Sequence, residues 1–336
     1  MRMVKVSGII VLCMIFIIFI IFMYLYYMSI PHKDCEFYIS GKHSGGFFSI
    51  MLSLLGGIAY GVHKKAGAIT IYNRDKNNQY TDKDQSLSNT YLSQTHFKLR
   101  KDYKPVSKLY KKIQSYNALF NKIPLQKYYS GYTWGKHRQI FPVKSNIPLK
   151  KLGDIAKEYI QWDKNIIIKM NDWYTQNKKG DDHQLSVHYR GTDTVLHYPY
   201  KKIPYQLYYD YIDKYIETHP SAGIFVATDE KDFLDEVSKR YKNVFNYYTP
   251  KVKNKVTKEN PGFQLIKDGV KKYDVAEGVI IDMLLLAKGD TLIKGRSCVS
   301  DFSLITNPSL ACYVVFGEDE IYYKESGENE KFNKYN

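Results

Sequence analysis

Cysteine is scarce in this chain, with four residues in 336, and none of the four stands at a Cys/His spacing that would hold zinc. Asn-X-Ser/Thr is missing as well. The near match Asn307-Pro308-Ser309 is excluded by its proline, so the sequence offers no N-glycosylation acceptor. No GxGxxG follows a strand-like run, which removes the usual dinucleotide fingerprint. Nor is there a localised arginine-rich or aromatic-interleaved patch, so nucleic acid is not an expected partner. Charge is absent over one long stretch, from Val6 to Met28.

That uncharged stretch carries the first expectation. A run of roughly 20 apolar residues is long enough to cross a bilayer as a helix. It exceeds the core of about 7–15 residues in a cleavable signal peptide, and no small-residue cleavage site follows it. Tyr24, Tyr26 and Tyr27 suit an interfacial aromatic belt, and Arg2 and Lys5 suit the cytoplasmic side. The sequence thus predicts a cytoplasmic stub and transmembrane signal anchor over residues 1–30. It predicts a single-pass type II membrane protein whose remainder lies in a lumen, a Golgi-like compartment fitting best. With Cys13 in the membrane, Cys35, Cys298 and Cys312 remain, an odd number whose pairing the spacing does not select.

What is present points to an α/β protein. Apolar residues make up 44% of the chain, tyrosine alone numbers 32, and the formal charge of +15 suits an anionic ligand or membrane head groups. Glu36 to Ser40 reads as a strand, Gly41 to Gly46 as a glycine-bearing turn, Phe47 to His63 as a helix and Gly67 to Tyr72 as a second strand. His43 in that turn faces any cleft above the sheet. The triplet Asp82-Lys83-Asp84 lies in a hydrophilic run and reads as solvated loop rather than as a metal site. Helical patterns cover 106–119 and 149–177, the latter as two or three amphipathic segments. The polar break at 177–182 sets a domain boundary, giving an N-terminal domain over 31–180, a C-terminal domain over 181–317 and a polar tail over 318–336.

Beyond the break, strands and helices alternate, the pattern of a doubly wound parallel sheet. Leu185 to Tyr189 is a buried strand that ends in Arg190-Gly191-Thr192-Asp193. A helix is expected from Pro204 to His219, a strand at 223–227 ending in Thr228-Asp229-Glu230, and a helix over 230–241. A short strand at 244–247, a helix from Asp274 to Lys288, and strands at 291–293 and 311–316 complete the sheet. Polar clusters therefore close three strands: Arg190/Asp193, Asp229/Glu230 and Ser297/Ser300. Ligands of open α/β sheets bind at the carboxyl ends of strands, and the arginine fork matches two phosphate oxygens.

HYRGTDT, VATDE and IIDMLLLAKGDTLIKGRSCVS together resemble the three ordered motifs of the GT-B fucosyltransferase superfamily, which holds the α1,6- and α1,2-fucosyltransferases and the protein O-fucosyltransferases. The opening EFYISGKHSGGFF is similar to the start of that family's N-terminal domain. The resemblance implies two Rossmann-like domains facing a cleft, the N-terminal one on the acceptor side. It implies that Arg190 binds the β-phosphate of GDP-fucose and helps GDP leave, that His188 holds the nucleotide, and that Asp193 orients the loop. Asp229 would contact ribose or base, Asp282 the base, and Ser297 with Cys298 and Ser300 the phosphates. His43 and His197 are general-base candidates. Two positions depart from the α1,6 pattern HxRRTDK: Gly191 replaces the second arginine and Thr194 the lysine.

The expected activity is inverting, metal-independent transfer of fucose to a hydroxyl of a glycan or glycoprotein, with no cofactor beyond the donor substrate. The alternatives are a GT-B transferase for another nucleotide sugar and an inactive, membrane-anchored glycan-binding protein.

Overall fold

The protein is described here by a computed structural model, which covers residues 14–23, 36–41, 46–63, 68–73, 80, 91, 149–192, 202–247, 261–295 and 297–315. Helix α1 occupies residues 14–23. Strand β1 (Glu36–Gly41), helix α2 (Phe47–His63) and strand β2 (Ala68–Asn73) follow, and β1 and β2 pair in parallel with Glu36 opposite Ala68. This is the strand–helix–strand unit expected from the sequence.

The anchor expectation is corrected by this structure. Among the described residues no helix is long and apolar enough to cross a membrane. Helix α1, at about 1.5 Å per residue, reaches about 15 Å, half of the ~30 Å hydrocarbon layer. An uncharged run measures apolar length, and the backbone has to be helical over that whole length to span. The transmembrane signal anchor, the membrane partner, the single-pass type II topology and the Golgi-like lumenal placement are withdrawn with it.

Helices α3 (Leu149–Tyr159) and α4 (Lys164–Asn177) are the two segments of the 149–177 pattern. They break where Asp163 caps α4, its carboxylate accepting from Asn165 N at 2.9 Å. After a turn in which Gly180 takes φ 79°, the chain enters β3 (Gln184–Tyr189), α5 (Tyr205–Thr218), β4 (Gly223–Thr228), α6 (Lys231–Arg240) and β5 (Val244–Phe245). It continues through α7 (Pro261–Lys267), α8 (Lys272–Leu286), β6 (Thr291–Lys294), α9 (Cys298–Thr306) and β7 (Ala311–Val314).

The five strands pair in the order β5-β4-β3-β6-β7, all in parallel. Side chains alternate between two faces, as the strand period of two requires. Leu185, Val187, Ile224, Val226 and Ile293 join Tyr208, Ile212, Phe233 and Val237 of α5 and α6 in one core. Phe225, Phe245, Leu292, Cys312 and Val314 join α8, α9, α2, α3 and α4 in the other. Both faces are covered, so the sheet is doubly wound. Helices α3 and α4, although they precede residue 180, belong to the second core, with Trp173 stacked on Phe245 at 6.3 Å between ring centroids. Cys298 and Cys312 are both thiols rather than disulfide partners.

Candidate active site

The chain winds outward from β3 through β4 to β5, then returns to place β6 and β7 on the other side of β3. Strand order therefore reverses between β3 and β6, and the loops leaving their carboxyl ends diverge into a crevice. Across this junction His188 is paired with Lys294, and Tyr189 is paired with Thr228 of β4. Arg190, Asp229 and Ser297 thus leave the sheet at nearby points of one edge.

Arg190 is half-buried and directly follows the last residue of β3. The loop beyond it is fastened by Asp229, whose Oδ1 accepts from Gly191 N at 3.0 Å and whose Oδ2 accepts from Thr192 Oγ1 at 2.8 Å. Both oxygens of Asp229 are therefore engaged in holding the Arg190 loop. Fixing a loop from the neighbouring strand places a charged side chain without demanding reorganisation when a ligand arrives. Tyr189 continues the support: it stacks on Phe233 at 4.3 Å, and its hydroxyl donates to Ile203 O at 3.0 Å. Burial, with Glu230 nearby, pushes the Tyr189 phenol well above its ordinary range, so it stays a donor.

Glu230 is buried beside this loop. Its Oε1 accepts from Tyr205 OH at 2.6 Å and pairs with Lys202 Nζ, while Oε2 is buried and makes no hydrogen bond among the described residues. A Cβ at 191 would overlap Glu230 Oε2 and lie 2.5 Å from Tyr189 Cε1, so any larger residue there must displace one of these side chains. The glycine that stands where the resembled pattern has a second arginine thus has a local physical cause.

On the β6 side, Ser297 caps α9 by accepting from Val299 N at 3.3 Å. The N-terminus of α9 carries partial positive charge and opens at the strand-order reversal, an arrangement suited to anions. Cys298 is half-buried in its first turn. Ser300 is fully buried, and its hydroxyl donates to Ser297 O at 3.1 Å, so it braces the turn. Beneath it, buried Lys294 pairs with Asp301 of the same helix.

His188 and Asp282 lie deeper. Both are buried, His188 on the β3 face that also carries Gln184 and Ser186, and Asp282 on α8, which packs over β3 and β4. His43, Asp193, His197 and the Asp82-Lys83-Asp84 triplet fall outside the described residues. Sequence reasoning missed Lys202 and Tyr205, which the start of α5 delivers to Glu230. The chain holds 49 Lys and Arg, and only the nearby helix-starting Pro204 marks this one. No group of three or more His, Cys, Asp or Glu side chains suited to a metal ion occurs among the described residues.

No protein-family model matches this chain, and no curated protein sequence matches it. Solved structures do. One is a crystal structure of the α-1,6-fucosyltransferase NodZ soaked with GDP-fucose, similar at 14% identity and a TM-score of 0.52 over 82% of this chain and 94% of that one. NodZ from Bradyrhizobium aligns at 13% identity and a TM-score of 0.52, over 82% and 94% of the two chains. NodZ co-crystallised with GDP aligns at 14% identity and a TM-score of 0.50, over 82% and 93%. At such identities the likeness is one of architecture, and it agrees with the ordered motifs: the chain has a GT-B fucosyltransferase-like fold.

Proposed function

We propose that this protein is a glycosyltransferase that moves fucose from GDP-fucose to a hydroxyl of a glycan, with inversion at the anomeric carbon. The observation that carries the reading is the convergence of Arg190, held by Asp229, with the N-terminus of α9 at the reversal of strand order. The GT-B division into an acceptor-side and a donor-side domain belongs to the same proposal, with α3 and α4 packed on the donor-side sheet although they precede residue 180.

In this reaction the bond between the anomeric carbon and the β-phosphate oxygen breaks. Positive charge develops on the sugar and negative charge on the departing diphosphate. Arg190 offers a planar, permanently charged fork to two phosphate oxygens, and α9 offers the positive end of its helix dipole. Between them they supply the charge compensation that a divalent cation gives other transferases. His188 and Asp282 are assigned to the nucleotide, with Ser297 and Cys298 at the phosphates. The hydroxyl acceptor attacks from the face opposite the leaving group and gives up its proton to a general base, for which His43 and His197 are the candidates, as the new bond forms.

Thermal stabilisation of the full-length chain by nucleotides, with chelator present, tests this reading. A ligand at 100 times its Kd that binds only the folded state adds about 2.7 kcal/mol. GDP and GDP-fucose should raise the melting temperature, and Arg190→Ala should abolish the rise and cut transfer on the order of 100–1,000-fold. Stabilisation by UDP or CMP instead would reassign the donor. No response to any nucleotide would overturn the reading.

A further inference from the structure

Residues 202–205, at the start of α5, touch the carboxyl ends of three strands. A Cβ at Gly295, just after β6, would meet Ile203 Cδ1 at 3.3 Å. Ile203 O accepts from Tyr189 OH at the end of β3. Lys202 and Tyr205 both bind Glu230 at the end of β4. Lys202 therefore stands at the end of β4 on a short segment whose next residue is also tied to the ends of β3 and β6.

The Lys202–Glu230 pair is asymmetric. The Glu230 side chain is 7% exposed and the Lys202 side chain 43%, so the carboxylate lies inside and the ammonium faces out. The ammonium also bonds Tyr205 OH at 3.1 Å and sits 4.7 Å from the centre of that ring. Burial and the bond to Glu230 push the Tyr205 phenol up, which keeps it uncharged. An ammonium has three N–H donors, and Glu230 and Tyr205 take two. Glu230 reaches under the loop at the same time, its Oε2 lying against Gly191, directly after Arg190. One carboxylate thus fixes an outward-facing cation next to a loop that carries a single arginine.

We propose that Lys202 is a second phosphate-binding cation of the donor site, set in place by Glu230 and Tyr205, that contacts the diphosphate of the nucleotide sugar. The glycine at 191 and this lysine form one arrangement: glycine makes room for Glu230, and Glu230 positions the ammonium. The proposal rests on the nucleotide-sugar reading above.

The test compares GDP with GMP binding to the full-length chain by calorimetry at low salt. Lys202→Ala should weaken GDP about tenfold, the scale of one charge-assisted phosphate contact, and narrow the preference for GDP over GMP. Lys202→Arg should keep GDP within about threefold. Because Lys202→Ala strands the Glu230 carboxylate, the neutral double variant Lys202→Met/Glu230→Gln is measured beside it and should show the same narrowed preference. An unchanged preference in folded Lys202→Ala and in the double variant would leave the pair structural and overturn the proposal, with the donor reading intact. Absence of nucleotide binding by the wild-type chain would overturn both.

Discussion

Gly191 and Glu230 compete for the same volume: the carboxylate of one stands where a side chain on the other would begin. The relationship links the backbone of the Arg190 loop to a buried acid just past β4, and through it to Lys202 and Tyr205.

Gly191→Ala should therefore destabilise the chain by about 1–3 kcal/mol, the usual cost of overpacking a filled site. Glu230→Ala should also cost stability, by removing the acceptor for Lys202 and Tyr205. In the double variant the two losses should fall short of their sum by about 0.5–3 kcal/mol, because the second substitution vacates the space the first one needs. Denaturant unfolding of the four proteins measures this. Strict additivity would show that the loop relieves the overlap by moving away from Glu230.

Much of this arrangement was legible before the fold was known. The β-branched and aromatic runs at 185–189 and 223–227, each ending abruptly in polar residues, placed two neighbouring strand ends and the cluster they bear. Helix α9 was harder to read, because Ser297 to Ser300 looks like a loop until Ser297 is seen capping Val299. Lys202 and Tyr205 carried no signal beyond the neighbouring Pro204, since their partner lies 25 or more residues ahead and only the α5 connection brings them to it. The N-terminal run misled for a different reason. Hydropathy reports what the side chains prefer, whereas spanning a bilayer depends on continuous helix, and the described helix there covers only residues 14–23.

The Lys294–Asp301 pair beneath α9 makes a second stability prediction. Lys294 is fully buried and Asp301 nearly so. Removing one partner alone leaves a charge in a low-dielectric interior, so Lys294→Met should cost about 3–5 kcal/mol. Replacing both, as Lys294→Met/Asp301→Leu, should recover most of that loss, because packed apolar side chains do not need the pair. Chemical denaturation distinguishes the two cases. A double variant as unstable as the single one would show that the pair fixes the start of α9, not merely that its charges balance.

Cys312 gives a prediction in pH. It sits on β7 in the core shared with α8 and α9, and burial pushes its thiol up to about 12. The unfolded thiol titrates near 8.5. Between those values the folded chain keeps a proton that the unfolded chain releases, so stability is complete below about 8.5 and is lost as pH rises toward 12. The slope is about 1.4 kcal/mol per pH unit where the two states differ by one proton. Unfolding free energies measured from pH 8 to 10 should fall more steeply in the wild-type chain than in Cys312→Ala. Alkylation under native conditions should reach half-buried Cys298 first and spare Cys312 until the chain unfolds. Rapid native labelling of Cys312, with parallel pH profiles in the two proteins, would mean that β7 opens readily and that its core does not withhold the thiol from water.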